Sequence, residues 1–193
     1  MLLTPERIAK RDKPAYDDDA ALVARAIKEL PYVTQSYELL MKRHYALIYR
    51  TCLGILRDTS EAEDVSQIVL LKVFNGLPRF QERSAFKTWL IKIVTNVCFS
   101  RHQKLKLQRE RYADFSEGSV DDRAGHNNET AETLWRDDFD TMVGCLDEQE
   151  QYILSLRFVS ELSLAEIAVI MELGLSATKM RFYRALEKLK EQM

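Results

Sequence analysis

Phe86, Leu90, Ile93, Val94 and Val97 recur at the spacing of one face of an α-helix. The same period returns along most of the chain, and only six glycines and four prolines interrupt its 193 residues. That pattern argues against a turn-rich β protein, and the expected fold class is all-α. The stretch that carries it begins as a polar loop between Phe80 and Phe86 and continues as a helix past Lys106. Lys87, Lys92, Arg101, Lys104 and Lys106 add positive charge along it. Rings beside cations suit a groove for unpaired nucleotides, with stacking surfaces for bases and charge for phosphates. The same residues also describe an amphipathic helix with a solvated basic face.

A charged content of 30% and a hydrophobic content of 46% place the chain among globular proteins. Net charge is −2, so any nucleic-acid signal lies in how charge is distributed. Cys52, Cys98 and Cys145 form no CxxC pair, which predicts buried free thiols in a reducing compartment. His44, His102 and His126 are scattered, and no metal site is expected. Met1-Leu2-Leu3-Thr4-Pro5 opens no signal-peptide run, and no segment approaches the ~20 apolar residues of a membrane helix. The expected location is cytoplasmic.

Residues 1–17 read as a loose tail. Asp17, Asp18 and Asp19 put negative charge at a helix start, where the macrodipole favours it. Val23, Ile27 and Leu30 follow as a short stripe, and a longer helix is predicted from Tyr32 to Arg57 with Tyr37, Met41, Tyr45, Ile48 and Cys52 on one side. Ser60-Glu61-Ala62-Glu63 fits a capping box. The helix it opens would turn Val65, Ile68, Val69 and Val73 inward, Asp64 and Gln67 outward, and leave Leu71 and Phe74 partly exposed. These elements make one helical domain over 18–107. An acidic linker over 108–132 follows, serving as a tether or as an acidic strand for a basic channel in a partner. A second helical domain occupies 133–193, opening on Leu134, Trp135, Phe139, Met142, Val143 and Leu146.

In that second domain Asp147–Glu150 and Ser163–Glu166 are N-cap patterns. Leu164, Ile167, Ala168 and Met171 form a helical face, Glu172-Leu173-Gly174 a turn, and Ser176 the cap of a last helix. Two short helices across a tight turn describe a helix-turn-helix. The outer face of its second helix presents Lys179, Met180, Arg181, Tyr183 and Arg184, suited to phosphates and base edges of duplex DNA. Two different reading heads in one chain are unusual for a simple repressor. A stand-alone helix-turn-helix regulator is the alternative. An enzyme using Glu63 and Asp64 to hold Mg²⁺ lacks converging ligands.

From about Asp18 onward the chain resembles the extracytoplasmic-function group of bacterial sigma factors. Glu61 to Phe74 looks like that family's polymerase-binding helix. Phe80 to Asn96 looks like its promoter-melting loop and helix, and Ser163 to Leu189 like its helix-turn-helix. The resemblance implies a non-enzymatic factor without cofactor that lends promoter recognition to core RNA polymerase. Glu61, Asp64, Gln67, Leu71 and Phe74 would then meet the largest polymerase subunits. Phe80, Arg83, Ser84, Phe86, Lys87, Trp89, Lys92, Asn96 and Arg101 would meet the minus-ten element, with the loop from Phe80 to Phe86 and nearby Asn96 forming a pocket for a flipped base. Ser176, Lys179, Met180, Arg181, Tyr183 and Arg184 would meet the minus-thirty-five element. Its implied partners are core RNA polymerase, including the flap, promoter DNA, and an anti-sigma protein that is membrane-linked in relatives.

Overall fold

The computed structural model describes residues 19–115 and 144–191. The tail, most of the acidic linker and the run from Leu134 to Val143 lie outside the described residues. Among those described the chain is helical, with no strand. The first unit comprises α1 (Asp19–Glu29), α2 (Gln35–Leu56), α3 (Thr59–Gly76) and α4 (Phe86–Phe115), with a 3₁₀ turn over Leu77–Arg79. The second comprises α5 (Glu148–Phe158), α6 (Leu164–Ile170) and α7 (Leu175–Glu191). Helix α4 runs on through residues expected to open the linker at 108.

Caps set most of these boundaries. Asp147 and Glu150 close a full capping box on α5, and Ser163 and Glu166 do the same on α6. Helix α3 departs from expectation. Its N-cap is Asp58, whose carboxylate accepts the Glu61 N–H at 2.8 Å, rather than Ser60. Ser176 likewise lies inside the first turn of α7 instead of capping it. The carbonyl of Gly174 accepts the Thr178 N–H there at 3.0 Å. The turn between α6 and α7 is made by Glu172, in the left-handed region at φ 56. The N–H of Leu173 then donates to the Ala168 carbonyl at 2.9 Å, closing α6 in the manner of a Schellman end.

In the first unit Leu40, Ile48, Val65, Val69, Leu90, Ile91 and Val94 are fully buried. Each such aliphatic side chain contributes about 1.5–3 kcal/mol by leaving water. Asp19 does more than favour a helix dipole. It is buried, accepting from Arg43 at 3.1 Å and pairing with the buried His44 ring, and so pins α1 to α2. One residue expected to face inward is turned out: Ile68 is 40% exposed. Cys52 and Cys98 are buried as expected, whereas Cys145 is exposed.

Ile153, Leu156, Leu162, Ile167, Phe182 and Ala185 fill the second unit, and Lys188 binds the buried Glu150 carboxylate at 2.7 Å. The two interiors are continuous. Gly54 of α2 lies against Ser155 of α5, where a Cβ would meet the serine hydroxyl. Thr51 and Ser160 share a buried hydroxyl–hydroxyl hydrogen bond at 3.0 Å.

Candidate nucleic-acid and partner interfaces

Three surfaces gather the residues singled out from the sequence. The first lies between α2 and α3. Tyr37, Met41, Tyr45, Leu70, Leu71 and Phe74 line an apolar groove of ≈ 590 Å³, with Glu38 and Lys42 on its rim. Leu71 is 65% exposed. Tyr37 packs edge-on to Phe74 and donates its hydroxyl to the Leu70 carbonyl at 2.7 Å. Burial pushes its phenol up to about 12. Asp64 and Gln67 stand exposed on the same helix as Leu71. Glu61 does not share that face. It forms a two-pronged ion pair with Arg101 of α4, the Nη2–Oε1 arm at 3.0 Å. Hydrogen bonding to Glu61 raises the Arg101 pKa. The sequence puts Tyr37, Met41 and Tyr45 on one side of their helix. Their helical spacing was visible, but the edge of the stripe, where it passes into a groove, was not.

The second surface surrounds the loop before α4. Phe80, Phe86 and Trp89 form a three-ring cluster, with centroids 4.9 Å apart for Phe80–Trp89 and 6.0 Å for Phe80–Phe86. Beside it is a cavity of ≈ 380 Å³ lined by Asp19, Phe80, Glu82, Ser84, Phe86 and Lys87, and also by Glu166 of α6. Arg83 is exposed on the same loop. Glu82 holds the loop's bend in the left-handed region at φ 53. Asn96 is not part of this cavity. Ten residues of α-helix, about 15 Å of rise, separate it from Phe86. It instead joins Ile68, Lys72, Ile93, Ser100, Arg101 and Lys104 in a groove between α3 and α4. The residues expected to meet one strand are thus divided between two sites.

Along another face of α4 several side chains meet the second unit. Thr88 donates to the Glu166 carboxylate at 2.7 Å, Lys92 reaches Glu172 at 3.4 Å, and Lys106 lies 3.8 Å from Glu148. Phe99 packs on Tyr152 with centroids 4.4 Å apart, and His102 meets the same ring edge-on. Burial alone would raise the Glu166 carboxyl. The bonds from Thr88 and Ser163, with Lys87 nearby, outweigh it and hold that carboxyl below the ordinary range.

The third surface is the outer side of α7. Met180 is 56% and Tyr183 57% exposed, and Ser176, Lys179 and Arg184 are exposed beside them. Arg181 is half-buried and turns with Arg184 toward Asp147, Glu148 and Lys106. Lys179 and Arg184 beside exposed Met180 and Tyr183 suit the phosphates and base edges of the major groove of duplex DNA. Among the described residues no group of three potential metal ligands converges, and no helix is long and apolar enough to cross a membrane.

Comparison with known proteins places two families on this chain. Residues 40–108 match Sigma-70 region 2, and residues 143–191 match Sigma-70 region 4. Among curated relatives, the ECF RNA polymerase sigma factor SigW of Bacillus subtilis is 26% identical over 156 residues, covering 76% of this chain and 82% of the relative. A probable RNA polymerase sigma factor of Haemophilus influenzae is 30% identical over 140 residues, covering 64% of this chain and 72% of its own. The fold is shared with the sigma factor RpoE of Bartonella quintana, solved in complex with the anti-sigma factor NepR, at a TM-score of 0.65 and 20% identity. That match covers 82% of this chain and 96% of the other.

Proposed function

The chain belongs to the ECF RNA polymerase sigma factors, and from that premise we propose how its surfaces divide the work of initiation. As a family member it directs promoter-specific transcription by RNA polymerase. The observation that carries the finer reading is that the two family matches fall in order on the two helical units.

The first unit is assigned to polymerase binding and the minus-ten element, and the second to the minus-thirty-five element. The groove of Tyr37, Met41, Tyr45, Leu71 and Phe74, edged by Asp64 and Gln67, is assigned to the polymerase. Apolar anchors of this size, ringed by polar groups, match the centre-and-rim pattern of protein interfaces. Phe80, Ser84, Phe86 and Lys87 are assigned to an everted base, with Arg83 and Trp89 beside them. Lys92, Asn96 and Arg101 follow the strand backbone. Glu61 acts by holding Arg101 in place. Ser176, Lys179, Met180, Arg181, Tyr183 and Arg184 read the duplex.

Extruding a base costs a few kcal/mol, and one stacking contact returns about 1–3 kcal/mol. Binding energy is therefore sufficient to open a weak step, and the chain acts as a non-enzymatic, cytoplasmic factor without cofactor. The sigma factor RpoE, which shares its fold, was solved with an anti-sigma factor, and a partner of that class is proposed here.

The test is reconstitution with core polymerase, with start-site mapping and permanganate footprinting of the promoter. Start sites that depend on the chain, with reactive thymines just upstream, are expected. Operator binding by the chain alone, without polymerase and without strand opening, would point to a stand-alone regulator.

A further inference from the structure

Three carboxylates line the cavity assigned to the everted base, those of Asp19, Glu82 and Glu166. Two are engaged at both oxygens. Asp19 accepts from Arg43 at Oδ1, 3.1 Å away, and pairs with the buried His44 ring at Oδ2. Glu166 accepts from the Thr88 hydroxyl at Oε1, 2.7 Å away, and from the Ser163 N–H at Oε2, 2.9 Å away, within the cap of α6. Glu82 differs. It is exposed on the loop before α4, and among the described residues no hydrogen bond or ion pair engages its carboxylate.

The backbone singles out the same residue. Arg57, Glu161 and Glu172 take positive φ at or just past the ends of α2, α5 and α6, where such a bend is usual. Glu82 takes φ 53 in the loop itself. A side chain held in that region away from a helix end carries strain of the kind that gathers at ligand sites.

A carboxylate only accepts hydrogen bonds, and an ammonium only donates them. The cavity offers one of each, Glu82 and Lys87, beside the rings of Phe80 and Phe86. An everted base presents its pairing edge to such a pocket. Guanine alone sets two donors side by side, N1–H and the 2-amino group, with the O6 acceptor next to them. Adenine and cytosine place an acceptor nitrogen beside their amino group, which a carboxylate repels. Thymine has a single N–H between two carbonyls.

We propose that Glu82 makes this cavity selective for guanine: its carboxylate accepts from N1–H and the 2-amino group, and Lys87 donates to O6. The proposal rests on the assignment of the cavity to an everted base made above. Paired charge-assisted bonds are the strong ones, and a site built around them rejects an edge that leaves its own polar groups unpaired.

The test uses holoenzyme reconstituted from core polymerase and the full chain. Its ligand is fork-junction DNA with the upstream duplex of a mapped promoter and a randomised single strand through the minus-ten element. Bound strands are sequenced. At one position guanine should outnumber every other base about tenfold. Inosine at that position, which lacks only the 2-amino group, should bind about threefold more weakly than guanine. Glu82→Gln offers one donor and one acceptor, the pattern adenine matches, so the guanine preference should vanish and adenine should gain. Phe80→Ala, which removes a stacking face, should weaken selection at the same position whatever the base. A guanine preference unchanged in Glu82→Gln overturns the role of Glu82. A base other than guanine at the position that Phe80→Ala weakens overturns the guanine reading and leaves the cavity assigned to an everted base. If Phe80→Ala weakens selection at no position, that assignment fails, and the guanine reading with it.

Discussion

The two faces assigned to DNA are built alike and kept differently. On α7, Lys179, Met180, Tyr183 and Arg184 stand open to solvent. Around the start of α4, Lys92 is paired with Glu172 of the other unit and Glu166 of that unit lines the cavity beside Phe86. A face for intact duplex can stay open at little cost, because its charges are hydrated and its apolar contacts few. A face for unpaired bases needs rings to stack on, and Phe80, Phe86 and Trp89 hold one another in place beside the cavity.

The largest effect should come from the shared interior. Leu90→Ala in α4 and Ile153→Ala in α5 each remove a fully buried side chain, with an expected loss of about 2–5 kcal/mol. If the units melt as one, either change lowers a single calorimetric transition. Two transitions, each moved by only one variant, would break the picture of one continuous interior.

Next comes the open face. Arg184→Ala should cost about 1–3 kcal/mol in duplex binding by the holoenzyme. Lys179→Ala should instead lower the salt slope by about one. Neither should alter opening of a template that is already melted, and a deficit there would blur the division between the heads.

A smaller effect is expected at the rim of the apolar groove. Asp64→Ala with Gln67→Ala should weaken polymerase binding severalfold in a pull-down titration while leaving the melting temperature within about 1 °C. Loss of thermal stability instead would make that face structural.

The mildest effects are those of pH. The Glu166 carboxyl is depressed when the units are packed. It therefore stabilises packing fully above the ordinary carboxylate range, and that contribution fades as pH falls through its lowered value. Burial depresses the His44 imidazole, with Asp19 opposing. Below about 6.5 the unfolded chain takes up this proton first, so stability should fall as pH drops toward the lowered value. Melting curves from pH 7 to 4 should show the His44 loss first, and His44→Gln should flatten it.

Much of this was legible beforehand, for identifiable reasons. Capping boxes at Asp147 and Ser163 are local devices, complete within four residues. The start of α3 was ambiguous because Asp58–Glu61 and Ser60–Glu63 are overlapping patterns of one kind, and Arg101, 40 residues away, claims the Glu61 carboxylate. The apolar period located α2 and α3 but not the edges of their stripes. Ile68 was therefore expected inside, and the groove that Tyr37, Met41 and Tyr45 help to line has no signature in the period alone. Grouping Asn96 with the loop failed because distance along a helix separates residues that look close in sequence. The docking of Glu166 on Thr88 leaves no local trace, since each residue is unremarkable in its own segment.

The length of α4 has a mechanical consequence. Thirty residues in one helix make a rod of about 45 Å, with the aromatic loop at one end and Phe115 at the other. Tilting such a rod by about 5° swings its far tip by roughly 4 Å. Seating a nucleotide in the loop cavity at the near end, the role proposed above, would thus shift the far end of α4 by stiffness alone.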